Sequence, residues 1–132
     1  MKIVLAHGCF DLVHFGHVLF LKEARKLGDR LVVTITADNF FTKGKPAFTE
    51  MQRLRWLREF RCVDDAYVVN EKTGVEAIRA VKPAIYAKGK DTGEVIPEEA
   101  AAVAEVGGKI AYVDAGLFFH SSELLSGRYA RA

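Results

Sequence analysis

Short apolar runs alternate with helical patterns along most of the chain, and this alternation constrains the fold more than any other feature. The first run, KIVLA at residues 2–6, has no polar alternation, so we expect a strand buried on both faces. Strands are predicted at 2–6, 30–37, 65–69, 84–89 and 109–115, and helices at 14–27, 49–60, 74–81, 97–106 and 121–130. This order predicts an α/β fold with a five-stranded parallel sheet, right-handed crossovers and helices on both faces.

The length and the charge of the chain exclude several classes of protein. With 132 residues, half of them hydrophobic, the chain can form one ordinary core, so we expect a single domain over residues 1–132. The net charge of +2 is spread along the chain, which predicts neither a nucleic-acid partner nor a membrane surface. Cys9 and Cys62 form no CxxC pair, and no apolar run approaches the roughly 20 residues of a membrane span, so we expect a cytoplasmic protein.

The segment HGCFDLVHFGH, residues 7–17, contains three of the four histidines and follows the first predicted strand. Ligands of open parallel sheets bind outside the carboxyl ends of the strands, which is where this segment lies. His14 and His17 share one face of the first helical turn, where backbone N–H groups and the helix dipole favour an anion. Gly16 has no side chain to keep a phosphate from the backbone. The segment therefore predicts an anion site that suits phosphoryl or nucleotidyl transfer.

Two other interpretations of these histidines stay open. One histidine could cap the helix while the other packs in the core, because short motifs carry a real false-positive risk. His7, Cys9, His14 and His17 could also be drawn as zinc ligands, but structural zinc favours paired CxxC or HxxxH spacing, so we predict no metal ligands. For the Cys9 thiol, a small apolar filler is a better expectation than a reactive group.

The segment GCFDLVHFGHVLFLKEARKLGDRLVV, residues 8–33, resembles the cytidylyltransferase-like branch of the HxGH nucleotidyltransferases. This group includes glycerol-3-phosphate cytidylyltransferase and the adenylyltransferase domain that makes ADP-heptose. The resemblance implies a Rossmann-like fold in which His14 and His17 bind the triphosphate and stabilise the transition state. It also implies a nucleotide-binding loop, which consists of Gly8, Cys9, Phe10 and Asp11, with Gly16 beside it.

The same resemblance gives roles to basic residues that follow the second predicted strand. Lys43 and Lys45 lie in TKGKPAF, residues 42–48, where lysines of the family reach the phosphates. The resemblance makes Lys43 a catalytic residue and Lys45 an acceptor-binding one, although loop lysines are more often simply solvated. Arg53 and Arg61 match family arginines and are expected to bind the acceptor.

Two later segments resemble the family more loosely. YAKGKDTGE, residues 86–94, is similar to a Lys-Gly-Gly-Asp segment, with Lys90 in place of the second glycine. Two serines open the last predicted helix, where they can cap it and hold a phosphate with its N–H groups. Ordinary turn residues and an ordinary helix cap are the alternatives. The resemblance thus adds five nucleotide-binding residues, namely Lys88, Gly89, Asp91, Ser121 and Ser122.

The resemblance implies an enzyme that transfers a nucleotidyl group to a phosphorylated small molecule, releases pyrophosphate and uses Mg²⁺ with the nucleoside triphosphate. ATP with a sugar phosphate such as D-glycero-D-manno-heptose 1-phosphate is the favoured pair. CTP with glycerol 3-phosphate or another phospho-alcohol is the second, and a catalytically silent nucleotide-binding module is the third. We also expect a homodimer, because several large apolar side chains exceed what one small core requires: Phe40, Phe41, Trp56, Phe118 and Phe119.

Overall fold

The computed structural model describes residues 1–11, 15–41, 45–90 and 93–114, and these form one five-stranded sheet with helices on both faces. All four strand pairings are parallel, and the strand order is β3-β2-β1-β4-β5. The strands are β1 Ile3–Gly8, β2 Arg30–Thr36, β3 Asp65–Val69, β4 Ile85–Gly89 and β5 Lys109–Val113. The predicted Rossmann-like α/β fold is confirmed.

The described helices follow the predicted pattern closely, and they are α1 Phe15–Arg25, α2 Glu50–Arg58, α3 Val75–Val81 and α4 Pro97–Glu105. Thr49 caps α2 and Pro97 occupies the first turn of α4, as the sequence predicts. The structure adds a capping box, in which the side chains of Thr49 and Gln52 each accept a backbone hydrogen bond from the other residue. A short 3₁₀ helix, Asp38–Phe40, follows β2 and was not predicted. The last predicted helix, 121–130, lies outside the described residues.

Both faces of the sheet are covered by apolar side chains. Successive residues of a strand point to opposite faces, so Val4 and Ala6 of β1 pack in one hydrophobic cluster while Leu5 packs in the other. The first cluster includes residues of α1 and α2, and the second includes residues of α3 and α4. The buried central strand agrees with the unbroken apolar run from which it was predicted.

The strand order changes direction at β1, because β2 pairs with one edge of this strand and β4 with the other. The segment after β1 therefore lies at the position where doubly wound sheets bind their ligands, as predicted. None of the described helices is long and apolar enough to span a bilayer.

Two of the apolar residues offered for a homodimer, Phe41 and Trp56, have partners inside the chain. Trp56 packs against the core, its ring edge meets Phe48, and Phe41 lies under the guanidinium of Arg53. Phe40 ends the 3₁₀ helix, and Phe118 and Phe119 lie outside the described residues. The homodimer stays a prediction, which a mass measurement in solution would test.

Candidate active site

The loop after β1 turns sharply at Phe10, whose φ of 48° lies in the left-handed region. A bulky residue adopts this conformation only where its surroundings fix it, and such residues cluster at functional sites. Phe10 is buried, and a Cβ atom on Gly8 would lie 3.0 Å from its ring. Gly8 therefore makes room for the ring of Phe10.

The Phe10 ring packs against the imidazole of His17 in the first turn of α1. The ring centroids are 5.3 Å apart and the planes are tilted by 59°. Gly16, the residue before His17, is buried in the same turn. The structure thus brings together four predicted site residues, Gly8, Phe10, Gly16 and His17, at the carboxyl end of β1.

A cavity of about 420 Å³ opens beside this loop. It is lined by residues from the ends of β1, β2 and β3, namely Cys9, Asp11, Thr36, Phe40, Phe41, Lys45 and Lys72. Ligand cavities of a few hundred Å³ with a few convergent polar groups are typical of small-molecule sites. Cys9 is exposed in this cavity, so the expectation of a packed apolar filler is wrong.

Asp11 connects the loop after β1 to the segment before α2. Its two carboxylate oxygens accept hydrogen bonds from the backbone N–H groups of Ala47, at 2.8 Å, and Phe48, at 2.9 Å. Lys45 lies two residues before Ala47, so this contact also fixes the chain that carries the lysine. Asp11 therefore orders the wall of the cavity.

Arg53 is fully buried, although the sequence predicts it as an acceptor-binding residue. Its guanidinium donates hydrogen bonds to Asp38 Oδ1 at 2.7 Å and to three backbone carbonyls, which belong to Cys9, Thr36 and Phe48. The guanidinium also lies 4.6 Å from the centre of the Phe41 ring. Four of its five N–H groups are thus used inside the protein. This arrangement argues against a direct contact with the acceptor and makes Arg53 the link between the loop after β1 and both ends of the connection from β2 to α2.

His7 is the centre of a second cluster of polar residues, on the face of the sheet that α3 and α4 cover. Its Nε2–H donates to the carbonyl oxygen of Lys72 at 3.1 Å, and its Nδ1 lies 2.9 Å from the hydroxyl of Thr34. Burial lowers the pKa of His7, while the bond to Lys72 and the charges of Glu99 and Glu71 oppose this shift. His7 is therefore held in the neutral form with both ring nitrogens in hydrogen bonds.

Glu99 of α4 is buried and belongs to the same cluster of polar residues around His7. Its carboxylate accepts a hydrogen bond from the backbone N–H of Gly74 at 2.8 Å. Burial and the charge of Glu99 raise the pKa of the Tyr86 phenol. A Cβ atom on Gly74 would lie 2.6 Å from the Tyr86 oxygen and 3.3 Å from His7 Cβ, so only glycine fits here.

The remaining predicted residues lie at different distances from the cavity. Lys88 and Gly89 end β4, the strand that pairs with β1, so they lie at the same edge of the sheet. Arg61 is exposed and lies in the connection from α2 to β3, which is at the amino-terminal ends of the strands, opposite the cavity. The described chain therefore does not bring Arg61 to the cavity.

Five predicted residues lie outside the described ones: His14, Lys43, Asp91, Ser121 and Ser122. Their roles stay predictions. Within the described ranges, no group of three or more histidine, cysteine, aspartate or glutamate side chains is arranged to hold a metal ion. Because His14 is not among these residues, the alternative of a four-ligand zinc site is untested.

Lys72, Thr36, Phe40 and Phe41 line the cavity and were not singled out from the sequence as site residues. The signal for three of them was their position, because Thr36 lies near the end of the second predicted strand, and Phe40 and Lys72 lie three residues beyond the ends of the second and third. Carboxyl ends of parallel strands meet at one edge of the sheet, so each residue there is a candidate.

Curated relatives match this chain over part of their length. It is 39% identical over 117 residues to the bifunctional protein HldE of Methylobacillus flagellatus, covering 86% of this chain and 24% of that protein. It is 42% identical over 106 residues to the bifunctional protein HldE of Helicobacter pylori strain J99, covering 76% of this chain and 23% of that protein. The chain thus spans about a quarter of the length of these relatives.

A solved structure with a similar fold is the lipopolysaccharide core biosynthesis protein from Thermoplasma volcanium. It aligns with a TM-score of 0.72 and 32% identity, and the match covers 86% of this chain and 98% of that one. Pantothenate synthetase from Thermus thermophilus aligns with a TM-score of 0.57 and 12% identity, covering 86% of this chain and 56% of that one, which shows a shared fold only.

The family comparison covers the whole described site. A family model described as cytidylyltransferase-like matches residues 5–116, from the middle of β1 to just beyond β5. These residues include the loop with Phe10, the first turn of α1 and every residue that lines the cavity. The chain belongs to the cytidylyltransferase-like family of nucleotidyltransferases.

Proposed function

We propose that the chain transfers a nucleotidyl group from a nucleoside triphosphate, with ATP favoured, to a sugar phosphate such as D-glycero-D-manno-heptose 1-phosphate. The observation that carries this proposal is the cavity after β1, where two lysines and two phenylalanine rings line one space. Ammonium groups suit a phosphate, and the rings offer apolar area for a carbon skeleton. The names of the relatives and of the solved neighbour, HldE and a lipopolysaccharide core biosynthesis protein, support an acceptor from carbohydrate chemistry.

The proposed reaction is an in-line displacement that needs no nucleophile from the protein. A phosphate oxygen of the acceptor forms a bond to the α-phosphorus, and the bond from that phosphorus to the oxygen it shares with the β-phosphorus breaks. Pyrophosphate leaves with this oxygen and its electron pair. Positioning and charge stabilisation supply most of the catalysis in such reactions, which is the role proposed for His14, His17 and Lys43.

The residues near the cavity fit a magnesium ion that enters with the nucleotide. Mg²⁺ keeps several waters and is usually held by substrate phosphates with one or two carboxylates. Asp11 is the carboxylate among the described lining residues, and its oxygens retain lone pairs beyond those that accept the two backbone N–H groups. When bound, the ion would neutralise charge on the triphosphate oxygens.

A substrate panel with pyrophosphate release as the readout tests the proposal. ATP, CTP, GTP and UTP are each combined with D-glycero-D-manno-heptose 1-phosphate, glycerol 3-phosphate and a hexose 1-phosphate. We expect the strongest release with ATP and the heptose phosphate. Faster release with CTP and glycerol 3-phosphate would favour the second substrate pair, and release from no pair would identify a silent nucleotide-binding module.

A further inference from the structure

Lys72 lies between β3 and α3 and lines the same cavity as Lys45, although no sequence motif gave it a role. The described charged groups of the cavity are these two lysines and Asp11, whose carboxylate already accepts two backbone hydrogen bonds. Within the described part of the chain, neither ammonium group has a hydrogen bond or an ion pair. The cavity therefore presents an excess of positive charge that suits an anion.

The backbone around Lys72 is fixed on both sides. His7 Nε2–H donates to the carbonyl oxygen of Lys72, and Thr34 holds the other ring nitrogen of His7. Glu71 accepts hydrogen bonds from two backbone N–H groups of the first turn of α3, at 3.0 and 3.2 Å, so its carboxylate is not paired with the neighbouring lysine. The backbone N–H of Gly74 donates a hydrogen bond to the carboxylate of buried Glu99. A rigid backbone thus carries a free ammonium group at the cavity.

We propose that Lys72 binds the phosphate of the acceptor and that His7 is the positioning residue that holds Lys72 at the cavity. This inference rests on the proposed function for the identity of the acceptor. The triphosphate is expected at the first turn of α1, and none of the described residues of α1 lines the cavity, which meets the predicted nucleotide-binding loop at Cys9 and Asp11 and extends from there to the two lysines. The second anion of the reaction, the acceptor phosphate, therefore fits the two lysines.

Direct binding of the acceptor tests this inference separately from turnover. D-glycero-D-manno-heptose 1-phosphate, glycerol 3-phosphate and ATP are each titrated by calorimetry into the wild-type chain and into Lys72→Ala, which keeps the carbonyl that His7 binds. We expect acceptor affinity to fall on the order of tenfold, with ATP affinity unchanged, because one charge-assisted contact is lost. Lys109→Ala is the matched control, since this exposed lysine is the first residue of β5 and therefore lies at the amino-terminal end of the strands, away from the cavity.

Variants of His7 test the positioning role. His7→Gln keeps an N–H donor, whereas His7→Leu removes it. We expect His7→Leu to weaken acceptor binding in the wild-type background but to have little further effect in Lys72→Ala, because both changes act through one ammonium group. His7→Gln should restore most of the affinity.

Other outcomes would overturn the inference. They are unchanged acceptor affinity in Lys72→Ala, an equal loss of ATP affinity, or no binding of either phosphorylated acceptor by the wild-type chain. Additive losses from His7→Leu and Lys72→Ala would overturn the positioning role. Pyrophosphate release is measured in parallel, and its absence in a wild-type chain that binds the acceptor through Lys72 would contradict the proposed function alone.

Discussion

The imidazole of His17 and the ring of Phe10 are in contact, with centroids 5.3 Å apart and planes tilted by 59°. This contact joins the first turn of α1 to the loop after β1, whose backbone is left-handed at Phe10. An aromatic neighbour limits the rotation of an imidazole and so fixes the direction in which its N–H groups point. The position of a proposed catalytic side chain thus depends on a buried residue of the nucleotide-binding loop.

Replacement of His17 tests the centre of the proposed reaction. His17→Ala should reduce kcat for pyrophosphate release by on the order of a hundredfold or more, because a donor to the developing charge is lost. Affinity for ATP, measured by calorimetry, should change much less. A variant that retains wild-type kcat would contradict the role of His17.

Phe10 should affect activity beyond its effect on stability. Phe10→Leu keeps apolar volume but removes the ring that contacts His17, so we expect kcat to fall about tenfold for a destabilisation of roughly 1–2 kcal/mol. Phe60→Leu is the matched control, because Phe60 packs against the same hydrophobic cluster at the end of α2. Urea unfolding should show similar losses for both variants, while kcat of Phe60→Leu stays near that of the wild type. Equal kcat values for the two variants would speak against orientation by Phe10.

Local pattern predicted the sheet well because β1 is buried on both faces and its neighbours carry the same apolar composition. Buried charge was not predictable in this way. The buried guanidinium of Arg53 donates a hydrogen bond to the carbonyl oxygen of Cys9, which is 44 residues away in the chain. No local spacing in the sequence reveals this contact. The burial of Glu99 had a weak signal, since it lies three and four residues before Ala102 and Val103 on one helix face. Its partner, Gly74, depends on tertiary packing.

Arg53 should be essential for stability as well as for the shape of the site. Arg53→Lys cannot reproduce a planar guanidinium that donates to Asp38 and three carbonyls, so buried acceptors lose their partners. We expect the free energy of unfolding, measured in urea, to fall by about 2–4 kcal/mol. We also expect the chain to lose its binding of the sugar phosphate. Arg55→Lys, on the exposed side of the same helix, should change stability by less than about 0.5 kcal/mol. Equal urea midpoints for the two variants would contradict this role.

The lowered pKa of His7 makes stability depend on pH. Burial favours the neutral imidazole in the folded state, so the unfolded chain binds more protons below the ordinary pKa of 6.5. The contribution of His7 to the free energy of unfolding is fully present above pH 6.5. It decreases below this pH by at most about 1.4 kcal/mol per pH unit and is lost as the pH falls through the lower pKa of the folded state. His7→Gln cannot titrate, so its free energy of unfolding should decline less between pH 7 and pH 5. Parallel curves for the two proteins would show that His7 does not titrate on unfolding.

The two cysteines should react with iodoacetamide at different rates. Cys9 is exposed in the cavity, whereas Cys62 is partly buried and burial raises the pKa of its thiol, which lowers the fraction of reactive thiolate. Peptide mapping by mass spectrometry should therefore find Cys9 alkylated first, with slower alkylation in the presence of the sugar phosphate. Modification should stop pyrophosphate release, because the added group fills the cavity. Cys9→Ser should remain active and resist this inactivation, and inactivation of Cys9→Ser at the wild-type rate would place the sensitive thiol at Cys62.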